Sequence, residues 1–226
     1  MGIRSYYSRQ KLSHFPEFLE HFLSNNEQRV CASFNALPYD ITNSLGIDKS
    51  YFLLGKLFEK IDPSFKPMRE TQGHSLIYGQ KDWIVDSESA YYNYLDWDHI
   101  QLLSSFLAKS KIRQRQVFFE NFTGILGSMG RKWPSFEAFR QQYQVDTDID
   151  WELDIHKLEA NRKEELLNPL SPEEKRAAAL ARLAQSDPYQ DFKDEIEYYY
   201  VNLLYLDNFI VETTKGEPCW ISIRIG

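Results

Sequence analysis

The stretch NLLYLDNFIVETTKGEPCWISIRI, residues 202–225, decides the fold because it joins an amphipathic helix directly to a strand. Gly216 favours the end of the helix, and Pro218 prevents its continuation. The helix is predicted to begin at Asp187-Pro188. Its apolar side chains recur at steps of three and four, at Phe192, Ile196, Tyr199, Leu203, Leu206 and Ile210. We therefore predict one long helix with a continuous buried stripe.

Both ends of the chain carry the alternating pattern of a strand. CWISIRI, residues 219–225, places cysteine and isoleucine on one face and Trp220, Ser222 and Arg224 on the other. Residues 2–8 alternate in the same way. We predict an α+β fold in which one small mixed or antiparallel sheet includes both terminal strands. The long helix and its neighbours are expected to cover one side of that sheet.

Helical spacing predicts shorter helices earlier in the chain. One follows Ser13, one follows Asp48 and stops at Asp62-Pro63, one is capped by Asp96, and one covers about 112–129. Short strands or extended loops are predicted on both sides of Gly79. These elements supply the remaining faces of the core.

The length of the chain fits one domain. A single core can organise 226 residues, so 1–226 is predicted to be one domain. Residues 131–187 differ in character and are interpreted as a charged, partly helical insertion. Within them, Ser171 and Glu174 have the spacing of a capping box, with Pro172 at the first helical position.

Charge and hydropathy exclude several classes of partner. The formal charge is −7, and no basic stripe of the kind that follows a phosphate backbone is present, so nucleic acid is not expected as a partner. No apolar run is long enough to cross a bilayer, and MGIRSYYSRQ lacks the apolar core of a signal peptide. We expect a soluble, cytoplasmic protein that does not bind a membrane. The sequence leaves its oligomeric state open.

Four blocks of the sequence are similar to one bacterial family. The blocks MGIRSYY, IDKSYFLLGKLF, YLDWDHIQLLSSFL and NLLYLDNFIVETTKGEPCWISIRI occur in the order found in the YfbM-like proteins, a family of unestablished activity. They cover about half of the chain, and their order carries most of the resemblance. It implies an α+β fold and brings no catalytic residues. Between about 111 and 187 the chain departs from the family pattern.

An acidic run is the first candidate functional surface. Its carboxylates occupy alternate positions, at Asp146, Asp148, Asp150, Glu152 and Asp154. In an extended chain they would all point the same way and could bind a basic protein partner, or form a solvated edge. The first three resemble the start of a calcium loop, but Trp151 stands where that loop needs glycine and Lys157 where it needs glutamate.

No metal or cofactor site is predicted elsewhere. His14, Glu17 and His21 have a spacing that could bring metal ligands together on a helix. The phenylalanines between them explain the same segment as a core-facing helix. The two cysteines, Cys31 and Cys219, do not form a metal-type pair, so each is expected to be a free thiol.

Aromatic residues and histidines form the second candidate site. Its members are His74, Tyr91, Tyr94, Trp97 and His99. Tyrosine and tryptophan are common in recognition sites and equally common in aromatic cores. The chain has no catalytic signature, so the first functional hypothesis is a non-enzymatic protein-interaction or binding module. The alternative is an enzyme or small-ligand-binding protein with a loop-built pocket near 91–99 and His74.

Overall fold

The computed structural model describes residues 5–24, 26–38, 40–47, 50–62, 84–85, 91–128, 170–184 and 188–225. The strands are β1 (Ser5–Lys11), β2 (Ser44–Ile47), β3 (Ile84–Val85), β4 (Tyr91–Leu95) and β5 (Cys219–Ile225). The helices are α1 (Phe15–Leu23), α2 (Glu27–Ala36), α3 (Ser50–Ile61), α4 (Trp97–Lys109), α5 (Arg115–Ser128), α6 (Pro172–Ala184) and α7 (Pro188–Lys215). Single 3-10 turns occur at Leu12–His14 and Ile41–Asn43.

The strands form one antiparallel sheet in the order β2-β1-β5-β4-β3. The two terminal strands are neighbours, and they pair from Ser5 opposite Ile225 to Lys11 opposite Cys219. The prediction of an α+β fold with both terminal strands in one sheet is therefore confirmed. The sheet is antiparallel throughout the described strands.

The first face of the sheet belongs to a core that also includes side chains of α3, α4, α5 and α7. Tyr7, Ile221 and Ile223 contribute buried side chains from the central strands, and Leu203 and Leu206 contribute them from α7. Each fully buried leucine or isoleucine stabilises the fold by about 2 kcal/mol. This core explains the apolar stripe of the long helix.

The second face of the sheet is covered in part by α1 and α2. Phe18 of α1 lies 4.5 Å from Trp220 and 5.9 Å from Tyr94, measured between ring centroids. Trp220 is fully buried. The long helix and its neighbours cover one side of the sheet, as predicted. The structure also has helices on the other side, because the apolar face of α1 packs against aromatic side chains of β4 and β5.

Local signals set several helix boundaries. Ser171 and Glu174 form the predicted capping box, in which the Ser171 amide donates to Glu174 Oε2 at 2.8 Å and the Glu174 amide donates to Ser171 Oγ at 3.2 Å. These bonds lower the pKa of Glu174. Helix α5 begins at Arg115, later than predicted, because Lys111 has a φ of 54° and turns the chain before it. Such a left-handed residue costs about 1 kcal/mol.

Other sequence predictions fall outside the described residues. They concern the cap at Asp48, the segment before Gly79 and most of the insertion at 131–187, of which only 170–184 is described. The segment predicted after Gly79 is described only at Ile84–Val85, which form β3. The assignment of 1–226 to one domain also stays a prediction.

Candidate functional site

The second face of the sheet carries a row of polar side chains that the aromatic cluster does not cover. Because side chains alternate along a strand, Tyr6, Ser8 and Gln10 of β1 share this face. Arg224 lies opposite Tyr6 and Ser222 lies opposite Ser8. Ser8, Gln10 and Ser222 are buried, so part of this polar face lies inside the protein.

The polar row forms the floor of a cavity of about 560 Å³, which we call the polar cavity. Its wall is the last turn of α2 and the residues that follow that helix. The lining residues are Tyr6, Ser8, Gln10, Phe34, Asn35, Leu37, Pro38, Ser222 and Arg224. Asn35, Pro38 and Arg224 are exposed, so they form the rim above the buried floor.

Helix α2 is positioned by its own cap and by aromatic packing. The side chain of Asn26 accepts a hydrogen bond from the Arg29 amide at 3.1 Å, which is the usual role of an N-cap. Phe34 lies 4.8 Å from Tyr92 between ring centroids, and this contact ties the end of the helix to β4. Pro38 follows two residues after the helix ends and cannot continue it.

Gln10 is the under-satisfied group in the floor. Its side chain is 4% exposed. Its Nε2 donates to the Pro38 carbonyl and to Ser222 Oγ, both over long distances of 3.4 Å. Because a carbonyl oxygen can only accept, the bond to Pro38 shows that the NH2 end of the Gln10 amide points toward the residues after α2. The Oε1 atom is buried and has no hydrogen-bond partner among the described residues. Such an orphaned acceptor costs about 1–3 kcal/mol.

The serines of the floor are already hydrogen-bonded to one another and to the backbone. The hydroxyls of Ser8 and Ser44 are 2.7 Å apart, which joins β1 to β2. Ser222 Oγ donates to the Ser8 carbonyl at 3.3 Å. These bonds hold the floor together, and neither of them goes to Gln10 Oε1.

Arg224 supplies a positive charge at the rim. Its guanidinium lies 5.8 Å from the centroid of the Tyr92 ring, a cation–π contact. No carboxylate within the described part of the chain forms an ion pair with it. Gln10 lies at the opposite end of the floor. It is four residues along β1 from Tyr6, the residue that pairs with Arg224, so the Cα atoms of Tyr6 and Gln10 are about 13 Å apart.

The aromatic candidate site is spread over both sides of the sheet. Tyr94 is buried in the α1–α2 cluster, whereas Trp97 is half-buried against the core on the first face. Burial and the charge of Asp96 raise the pKa of Tyr94 to about 12. Tyr91 is exposed. None of these described residues lines the polar cavity, and His74 lies outside the described residues.

His99 has a structural role beside the predicted cap. The Asp96 carboxylate accepts from the His99 amide at 3.0 Å and lies 2.8 Å from His99 Nδ1. Asp96 is therefore the N-cap of α4, as predicted. The pocket predicted near 91–99 and His74 stays a prediction, as does the acidic run at 146–154, which lies outside the described residues.

His21 is the histidine of α1, and it takes part in the packing of that helix against α2. His21 Nδ1 is hydrogen-bonded to Ser33 Oγ, which joins α1 to α2. Among the described residues no cluster of histidine, cysteine or carboxylate side chains could hold a metal ion. Cys31 and Cys219 are free thiols, and burial raises the pKa of Cys219. Within the same residues, no helix has the length and apolar character that crossing a membrane requires.

Comparison with protein-family models, with curated proteins and with solved structures finds no match to this chain. The resemblance to the YfbM-like proteins therefore stays a prediction. The polar cavity is defined by its geometry alone.

The sequence interpretation missed the polar cavity for two reasons. Helix α2 was not predicted, because only Val30, Cys31 and Phe34 among its central residues are markedly apolar. The alternation of β1 and β5 separates their two faces but does not show that the polar residues of one face are covered. The cap at Asn26 followed by Glu27 was the available signal for the missing helix.

Proposed function

We propose that this protein binds a small polar molecule in the polar cavity. The observation that carries this proposal is the open-rimmed cavity itself, which is lined in part by the buried side chain of Gln10, whose Oε1 has no hydrogen-bond partner within the described residues. A buried polar atom is normally satisfied, so a ligand that donates to this oxygen would remove an energetic cost.

The size and the lining of the cavity support a small-molecule ligand. Its volume of about 560 Å³ is within the usual range for ligand pockets, roughly 300–1,000 Å³. Its lining combines aromatic and aliphatic walls with a few convergent polar groups, which is the typical composition of such sites. This proposal keeps the small-ligand alternative drawn from the sequence and assigns it to different residues.

The test is a screen of fluorinated fragments by fluorine NMR line broadening against two matched variants. In Asn35→Trp, an indole replaces an exposed rim side chain and should obstruct the mouth of the cavity. In Gln28→Trp, the same side chain is placed on an exposed position of α2 that does not line the cavity. We expect fragments that bind the wild type and the Gln28→Trp variant to bind Asn35→Trp at least about tenfold more weakly. Equal binding to both variants would reject the proposal.

A further inference from the structure

We propose that the ligand of the polar cavity is a carboxylate with a flat apolar body and a hydrogen-bond donor at its far end. This inference rests on the proposed function and adds the chemical class of the ligand. It follows from the different groups at the two ends of the floor and from the walls between them.

The Arg224 end selects an anion. The guanidinium group has five N–H donors and no acceptor, and it can bind a carboxylate through two parallel hydrogen bonds. The chain has 33 acidic and 26 basic residues, yet among the described residues no acidic side chain pairs with Arg224. An exposed cation that has no carboxylate partner in the described part of the chain is suited to accept one from a ligand.

A single charge at this end favours a carboxylate over a phosphate. Arg224 is the sole cationic side chain among the described residues that line the cavity. A phosphate monoester carries close to two negative charges at neutral pH, whereas a carboxylate carries one. One guanidinium matches the charge of a carboxylate.

The Gln10 end selects a donor. An amide oxygen can accept but cannot donate, so the matching ligand group is an O–H or an N–H. The neighbouring serine hydroxyls are engaged with Ser44 and with the Ser8 carbonyl, so they do not satisfy Gln10 Oε1. Because this oxygen is buried, a ligand donor reaches it when the Gln10 side chain turns toward the cavity.

The middle of the cavity favours an apolar, flat body. Phe34, Leu37 and Pro38 line its helix side, and Tyr6 lies on the strand side. Aromatic side chains stabilise flat ring systems through stacking or edge contacts. The Cα atoms of Arg224 and Gln10 are on the order of 13 Å apart along the strands, so one ring with a short carboxylate arm can lie between their side chains.

The experiment uses three related probes in NMR titrations. They are 3-(4-hydroxyphenyl)propionate, its methyl ester, which has no charge, and 3-phenylpropionate, which has no terminal hydroxyl. The full-length wild type should bind the first probe about tenfold more tightly than either of the others. Added salt should weaken binding of the acid more than binding of the ester.

Two variants test whether Arg224 causes the preference for the acid and Gln10 the preference for the hydroxyl. Arg224→Gln should abolish the difference between the acid and the ester, whereas Arg29→Gln, an equal charge change at an exposed site of α2 outside the cavity, should preserve it. Gln10→Met should abolish the difference between the probes with and without the hydroxyl. Fluorinated neutral fragments that still bind both cavity variants would show that the cavity is intact.

Two outcomes overturn the inference. In the first, the ester binds the wild type as tightly as the acid. In the second, Arg224→Gln leaves the acid–ester difference unchanged. A third outcome is that neither carboxylate probe binds, while neutral fragments bind the wild type and do not bind Asn35→Trp. The inference then fails and the proposed function stands. If no fragment of any charge binds, both fail.

Discussion

At the scale of single residues, Asp207 is a buried carboxylate held in the middle of α7. Its Oδ2 lies 2.9 Å from Nε of Arg113, whose side chain is half-exposed. The contact is an ion pair and lacks the alignment of a hydrogen bond, so Oδ2 has no hydrogen-bond partner among the described residues. Burial raises the pKa of Asp207 above the ordinary value of 3.8, and the charge of Arg113 opposes this increase.

The raised pKa makes stability depend on pH in a defined direction. Because the folded state holds the Asp207 proton more tightly than the unfolded state, its contribution is complete below about pH 3.8 and is lost as the pH rises through the folded pKa. We therefore expect Asp207→Asn to gain stability relative to the wild type as the pH rises from about 4 to neutral. Urea unfolding across this range measures the difference.

A matched control for Asp207 is Glu217→Gln, which removes an exposed carboxylate just after α7. It should show a far smaller dependence on pH. A difference between Asp207→Asn and wild type that stays constant across the range would contradict the assignment.

Local caps were predictable from the sequence, whereas buried polar residues were not. Asp96, Ser171 and Glu174 act on amides within three residues, so their roles follow from short-range spacing. The burial of Gln10 and Ser222 depends on α2 and on a strand pairing between distant parts of the chain. Alternation along one strand cannot show which polar face is covered.

At the scale of elements, Arg9 ties the first strand to the last helix. Its Nε donates to Thr213 Oγ1 at 2.7 Å, and its Nη2 donates to the Phe209 carbonyl at 3.1 Å. The guanidinium also lies 4.6 Å from the centroid of the Phe209 ring. These contacts fix the end of α7 above the central strands, where the chain turns into β5.

Removing this side chain should loosen the strand from the helix. We expect Arg9→Ala to lower the free energy of unfolding by about 2–3 kcal/mol, because charged hydrogen bonds and stacking are lost together. Arg9→Lys should recover only part of this loss, since lysine lacks the planar fork. Lys11→Ala, at an exposed position of the same strand, should change stability by no more than about 0.5 kcal/mol. Equal losses at both positions in urea titrations would contradict this role.

Long elements with a regular apolar pattern were predictable, whereas short elements and elements with few apolar residues were missed. The stripe of α7 and the alternation of β5 repeat often enough to identify both elements from the sequence. Helix α2 has few apolar residues and β2 has only four residues, so neither produces a clear period. The end of α2 forms one wall of the polar cavity, so the cavity could not be located from the sequence without predicting that helix.

At the scale of the whole molecule, the floor of the cavity joins the two ends of the chain. Ser8 and Ser222 are 214 positions apart in the sequence but are hydrogen-bonded across β1 and β5. The site exists only when the terminal strands are paired and α2 lies over them. A ligand bound there would stabilise this arrangement in proportion to its concentration and affinity.

Chemical-shift mapping of the wild-type protein with 3-(4-hydroxyphenyl)propionate tests the ligand site most directly. We expect the largest changes in backbone amide signals at the cavity residues Ser8, Gln10, Asn35, Ser222 and Arg224. Changes centred instead on Trp97 and His99, or no saturable change at the cavity residues, would contradict the assignment of the polar cavity as the binding site for this class of ligand.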